Sequence, residues 1–223
     1  MRPALSKRLR SVYECVKPGG AADIGTDHGY LAAALALDGL HDPVIAADAA
    51  FLPLRKARAY ARSLGLEGKI SFRLGDGLSV LHEGEVRTAI IAGLGGESVS
   101  EIIRADIAGS LELVLQPMSR PDILRRALFE EGFEITSERL TLDNGRIFCT
   151  ITARAGRMEP LTRAQELVGV KTAGDPLFID YLGWVIRFTE KAAAGASRSG
   201  SRNAEYLQDT LASLYRLKGE TQK

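Results

Sequence analysis

Two aspartates and two glycines fall within nine residues, Asp23-Ile24-Gly25-Thr26-Asp27-His28-Gly29-Tyr30-Leu31. An apolar run from Ala21 to Ile24 leads in, and an Ala/Leu-rich stretch from Leu31 to Leu37 leads out. That order reads as a strand, a tight turn and a helix start. Glycines at 25 and 29 let a ligand come close to the backbone, because no Cβ stands in the way. The unsatisfied N–H groups at the start of a helix favour a polar or anionic ligand group. Asp23 and Asp27 argue against a phosphate, since two carboxylates repel a pyrophosphate and attract an ammonium or a sulfonium. The G-x-G-x-x-G spacing of dinucleotide-binding turns is also absent here. The turn suits a ligand with a positive end and several hydroxyls, a description that S-adenosylmethionine meets. The plainer alternative is a strand-to-helix turn with solvated aspartates.

Other chemically useful residues stand where further strands should end. Pro43 to Asp48 is an apolar run closing on a carboxylate, 25 residues after Asp23. An acidic residue at the end of a second strand can hold a ribose through its two hydroxyls. Asp48, with Ala49 beside it, is assigned that place, the alternative being a helix cap. A third strand, Lys69 to Leu74, leads to Gly75-Asp76-Gly77, where Asp76 could accept from an exocyclic amine such as that of adenine. Its alternative is a turn aspartate. Thr88 to Ala92 is a buried strand followed by Gly93-Leu94-Gly95-Gly96. Three glycines in four positions suggest backbone against a ligand, or a very tight turn into a helix. A fifth strand, Leu111 to Leu115, ends in Gln116-Pro117-Met118.

Helices at about 30–38, 51–64, 97–106 and 121–131 connect these strands, and one at 4–17 precedes them. Phe133 to Leu142 and Arg146 to Ala153 alternate like strands, and Asp143-Asn144-Gly145 between them is a strong hairpin signal. Five βα-type units followed by a hairpin predict an α/β fold: a doubly wound, mostly parallel, seven-stranded sheet with an antiparallel edge strand. A dehydrogenase domain of the usual sort would continue with another βα unit.

The composition changes after Arg154, which divides the chain into residues 1–155 and a helical segment, 156–223. A short helix is expected over 161–170 and a longer one over 176–194, with Tyr181, Trp184, Val185 and Phe188 as one structural stripe. A Gly/Ser/Arg-rich turn from Gly195 to Arg202 leads to a last helix carrying Leu207, Leu211, Leu214 and Tyr215. The last two helices should pair antiparallel.

Across 223 residues, 45% are hydrophobic and 26% charged, with a net charge of +1. That is a globular composition with no global charge that demands nucleic acid. Local charge is more informative. Arg2, Lys7, Arg8, Arg10 and Lys17 face only Glu14 in the first seventeen residues. Arg187, Lys191, Arg198 and Arg202 cluster about the tail turn. Of these, Lys7, Arg8, Arg10, Arg187, Arg198 and Arg202 are the candidate RNA contacts; the alternative is a solvated basic face. Cys15 and Cys149 sit in apolar patterns and read as buried reduced thiols. No apolar stretch approaches the length of a membrane span, and no signal-peptide core follows the basic start. A cytoplasmic location is expected, with no metal and no membrane partner.

Taken in order, these motifs resemble a class I S-adenosylmethionine-dependent methyltransferase, and in particular the bacterial tRNA adenine-N1 methyltransferases that modify position 22. The similar stretches are Leu5-Ser6-Lys7-Arg8-Leu9, Ala22 to Leu31, Ile91 to Gly96, Leu115-Gln116-Pro117, and Asp175 to Leu182 in the tail. Three positions depart from the family's pattern. Ala32 and Val170 stand where proline is common, and Met118 where asparagine is common. The resemblance implies methyl transfer to adenine N1 in tRNA. It places Asp23, Gly25, Thr26, Asp27 and Gly29 near the methionine end of the cofactor. Asp48 and Ala49 then fall at the ribose, Gly75, Asp76 and Gly77 at the adenine, and Gly93, Leu94 and Gly95 beside them. Asp27 and Tyr30 are candidates for steadying the cationic product. His28 could orient the base or cap the helix, and Gln116 could read the adenine edge or hold its own loop. The alternatives are a methyltransferase for another RNA or a small molecule, a non-catalytic scaffold that binds cofactor and RNA, and a nicotinamide oxidoreductase.

Overall fold

A computed structural model describes residues 3–199 and 201–221; Arg2, Gly200 of the tail turn and the last two residues lie outside them. Seven strands form one sheet: β1 (Ala21–Ile24), β2 (Val44–Asp48), β3 (Ile70–Leu74), β4 (Thr88–Ala92), β5 (Glu112–Gln116), β6 (Phe133–Asp143) and β7 (Arg146–Ala155). Their order is β3-β2-β1-β4-β5-β7-β6. The first five are parallel. Their apolar runs are continuous because both faces are covered. Alternate residues serve opposite cores: Ala22, Ile45 and Leu113 face one cluster, while Ala21, Val44 and Val114 face the other.

Helices α2 (Tyr30–Asp38), α3 (Phe51–Ser63), α4 (Gly96–Ile102) and α5 (Pro121–Glu130) connect the strands. The first helix, α1 (Lys7–Glu14), is shorter than its 4–17 pattern, because Ser6 caps it by accepting the Leu9 N–H at 3.2 Å. Residues 106–110 leave the α-helix for a short 3-10 turn.

The antiparallel strand is not at the edge. β7 lies between β5 and β6 and is antiparallel to both, leaving β6 outermost. Five consecutive residues of β7, Cys149 to Ala153, are buried, whereas β6 alternates and contains exposed positions. A strand covered on both faces belongs inside the sheet. The hairpin turn has positive φ at Asn144 and Gly145, as its sequence required.

Three helices follow: α6 (Arg163–Val168), α7 (Phe178–Arg198) and α8 (Ala204–Glu220). α7 continues through Gly195 into the predicted turn, sustained by the alanines on either side of it. The expected stripe is split. Tyr181 and Val185 are buried, but Trp184 is 46% and Phe188 64% exposed. Buried residues of α7 and α8, among them Leu182, Ile186 and Leu214, share one hydrophobic cluster with sheet residues such as Leu115 and Ile151.

A buried ion pair fastens the helical segment to the sheet. Arg125 Nε meets Glu138 Oε1 at 2.7 Å, with both side chains inaccessible. Arg125 also donates to the carbonyls of Glu166 and Leu167, and Glu138 accepts the N–H groups of Val170 and Lys171. A proline at 170 would lack the N–H that Glu138 takes here. Cys149 is buried beside this pair, where burial pushes its thiol up to about 12. Cys15 is only partly buried, in contrast to the expectation for it.

Candidate functional site

The sheet order reverses between β1 and β4, and a crevice outside the strand ends at such a point is where open α/β sheets bind ligands. A cavity of about 680 Å³ occupies that place, lined by the turns after β1, β2, β3 and β4. The turn after β1 is held in shape by its backbone. Gly25 and Thr26 donate to the carbonyl of Ala47 at 2.8 and 2.9 Å. Gly25, Asp27 and Gly29 all have positive φ.

Asp23 is 4% exposed and accepts a hydrogen bond from the Thr26 hydroxyl at 2.7 Å. Burial pushes its carboxyl up to about 6; Thr26 and the Ala32 N–H pull it partly back, and the charge of Asp48 raises it. Ala32 therefore supplies a donor that a proline could not. Among the described residues, hydrogen bonds and not a cation offset the desolvation of this carboxylate. A ligand cation would offset it further, so the acidic wall fits the positive end of S-adenosylmethionine.

Asp48 is held by two backbone donors. Its Oδ1 accepts from Ala50 N–H at 2.9 Å, at the start of α3, and its Oδ2 accepts from Asp27 N–H at 3.2 Å. It also lines the cavity, and each oxygen has a further lone pair for a hydroxyl donor. Ala49, Gly75, Asp76 and Gly77 continue the same wall, and Gly93 and Leu94 close it opposite Gly25. A Cβ on Gly25 would meet only the Leu94 side chain, at 3.8 Å, so the space there is open.

Two expected cofactor glycines do not line the cavity. A Cβ at Gly29 would stand 2.8 Å from that of Ala57, so this glycine serves the packing of α2 on α3. Gly95 pairs with Ser119, and the next glycine, Gly96, lies where a Cβ would overlap the Arg120 carbonyl. Part of the glycine cluster therefore makes a tight strand-to-helix turn.

At the mouth, the His28 and Tyr30 rings stack at 5.5 Å and Tyr60 meets Tyr30 edge-on at 4.8 Å. The exposed Asp27 carboxylate lies 3.6 Å from His28 Nε2. Gln116 is elsewhere. It is 0% exposed, accepts from Arg8, and donates to the Pro117 carbonyl at 2.9 Å. Its amide is engaged within its own loop, at the Pro117 carbonyl and the Met118 sulfur.

Arg8 turns partly inward. It is half-buried, lies over the Phe148 ring, and lines the cavity with Ser6 and Leu9. Burial pulls its guanidinium below the ordinary value. Sequence reasoning placed α1 on the solvent side; the one hint otherwise was the Leu5-Ser6-Lys7-Arg8-Leu9 match. Lys7, Arg10, Arg187, Arg198 and Arg202 are exposed. Among the described residues no helix is long and apolar enough to cross a membrane, and no group of three or more His, Cys, Asp or Glu residues could hold a metal ion.

Known proteins resemble this chain in sequence and fold. The methyltransferase domain family matches residues 5–151. The tRNA (adenine(22)-N(1))-methyltransferase of Bacillus subtilis is 35% identical over 157 residues, which span 68% of this chain and 66% of that protein. The crystal structure of the Bacillus subtilis m1A22 tRNA methyltransferase superposes with a TM-score of 0.80 at 28% identity, covering 99% of this chain and 98% of that one. A Streptococcus pneumoniae protein solved in complex with S-adenosyl-L-methionine gives 0.85 at 27% identity, covering 96% and 100%.

Proposed function

The chain belongs to the methyltransferase domain family and, within it, to the bacterial tRNA (adenine-22-N1) methyltransferases, and from that premise we propose that it methylates N1 of the adenine at position 22 of tRNA. The observation that carries the proposal is Asp23, a buried carboxylate in the wall of the switch-point cavity whose desolvation its hydrogen bonds only partly offset. S-adenosylmethionine, when bound, supplies a methyl group on a positively charged sulfur. Asp23 holds the positive methionine end, Asp48 the ribose hydroxyls, and Asp76 the exocyclic amine of the cofactor's adenine. Gly25 and Gly93 leave room for the donor.

Adenine N1 carries its own lone pair, so the reaction needs orientation and exclusion of water more than a strong base. Tyr30 and His28 present stacked rings at the mouth for the incoming base. The methylated adenine is cationic, and the Tyr30 face and the Asp27 carboxylate steady that charge. Position 22 lies within folded tRNA, so the base must leave its stack to reach this mouth. Lys7, Arg10, Arg198 and Arg202 meet the phosphate backbone, with residues 156–223 as the RNA-side segment. A tRNA substrate places the reaction in the cytoplasm.

The test is incubation with methyl-labelled cofactor and unmodified tRNA, followed by nucleoside analysis and mapping. Label in 1-methyladenosine at position 22 is expected. Label at another site would transfer the assignment to another RNA position, the reading that Met118 in place of asparagine would favour. Absence of transfer despite cofactor binding would leave a scaffold. Asp48→Ala should weaken cofactor binding about tenfold or more, for loss of a charge-assisted bond of roughly 1.5–3 kcal/mol. Unchanged affinity in calorimetry would remove the ribose assignment.

A further inference from the structure

A second cavity, of about 400 Å³, lies beyond the donor site, between the loop after β5, the start of β7 and one face of α7. The Tyr181, Trp184 and Phe188 rings form a near-parallel ladder along it, with centroids 6.2 and 5.9 Å apart and planes 11° and 19° from parallel. The outer two rungs are the exposed pair noted above. Two large aromatic side chains are thus held in stacking geometry while about half or more of each stays exposed. Structural stacking would be expected to bury them.

The charge around the ladder is positive. Three arginines line the cleft, Arg120, Arg146 and Arg163, against one aspartate, Asp122. Arg163 and Arg120 are paired with carboxylates. Arg146 is not among the ion pairs of the described residues: it donates to the Met118 carbonyl and lies 5.0 Å over the Phe148 ring. Arg187 and Lys191 are exposed. With Trp184 and Phe188 they occupy i, i+3, i+4 and i+7, which is one helical face. Flat π-surfaces interleaved with cations are the chemistry that binds single-stranded nucleic acid, since bases stack on the rings and phosphates meet the charges.

The cleft is also correctly placed. Met118 lines it, Leu94 lines the donor cavity, and the Met118 N–H donates to the Leu94 carbonyl at 2.7 Å. One wall therefore divides the two cavities, and a base on the ladder cannot itself reach the donor. We propose that the Trp184–Phe188 ladder, with Arg146, Arg187 and Lys191, stacks an unpaired nucleobase of the substrate RNA that flanks the methylated one. This rests on the tRNA reading and adds a second base-binding position to it. It makes Trp184 and Phe188 positioning residues that hold the strand.

Trp184 is the chain's one tryptophan, so its fluorescence reports on the ladder directly. The full-length protein would be titrated with unmodified tRNA and, separately, with a short single-stranded oligoribonucleotide. Quenching by both is expected. Phe188→Ala should weaken tRNA binding about tenfold, within the range for loss of one stacked base. It should raise KM for tRNA with little change in kcat and none in cofactor affinity, and Phe188→Tyr should restore KM. Unaltered fluorescence at saturating tRNA, together with a wild-type KM for Phe188→Ala, overturns the proposal. A concentration-dependent blue shift without RNA, or quenching by a protein partner alone, overturns it in favour of a protein interface. If the wild-type protein methylates no tRNA, the tRNA reading fails on its own. The oligoribonucleotide then decides the ladder: quenching supports it and silence overturns it.

Discussion

The Asp23 carboxyl stands about two units above the value of a free aspartate, and the sign of that shift makes a prediction. The folded state binds the proton more tightly than the unfolded chain does. Its stabilising contribution is complete below about pH 4 and is lost as pH rises towards 6. Above that, the ionised group costs the cofactor-free fold about 3 kcal/mol at 1.36 kcal/mol per unit. Asp23→Asn should therefore raise the melting temperature of the free protein at pH 8, with the gain shrinking as pH falls towards 4, while it removes most of the cofactor binding. A variant no more stable than the parent at pH 8 would show that the carboxylate is not strained. At the mouth, Tyr30→Ala should lose turnover and keep cofactor affinity; full turnover would end the role given to Tyr30. Asp23, Asp48 and Asp76 were legible because each lies in or just after a strand-like run, which fixes its place on the rim. The pairing of Gln116 with Arg8 was not legible. Their roles come from a hydrogen bond to each other across 108 positions, and no local pattern encodes that pairing.

Among the elements, the parallel strands could be read because their runs are short and mostly apolar, and three of the five, β1, β3 and β4, are closed by glycine. The position of β7 could have been read too: a run buried on both faces cannot be an edge, whereas β6 alternates. What sequence periodicity could not reveal is the join between α6 and the sheet. Arg125 and Glu138 resemble surface charges on an amphipathic helix and an alternating strand, yet both side chains are inaccessible. Glu138 also satisfies two backbone N–H groups beside Gly169, where a Cβ would stand 2.6 Å from its Oε2. Removing one member of a buried pair leaves the other uncompensated, so Glu138→Ala should cost about 3–5 kcal/mol in urea unfolding. A loss below about 1 kcal/mol, the scale of an exposed pair, would mean that the join contributes little.

For the whole molecule, the composition changes at Arg154 while the hydrophobic core continues across it. The tail helices close the same hydrophobic cluster that holds β5 and β7. That shared core fixes the ladder on α7 relative to the donor cavity, so a strand of RNA would meet both as one surface. The account depends most on the claim that the acidic rim binds a cationic nucleoside. Calorimetric titration with S-adenosylmethionine from pH 5 to 8 tests it most directly. The cation favours ionised Asp23, so affinity should be flat above about pH 6 and fall by up to tenfold per unit below it. The slope should vanish in Asp23→Asn, along with most of the binding. Affinity independent of pH, or undiminished by Asp23→Asn, would contradict the account.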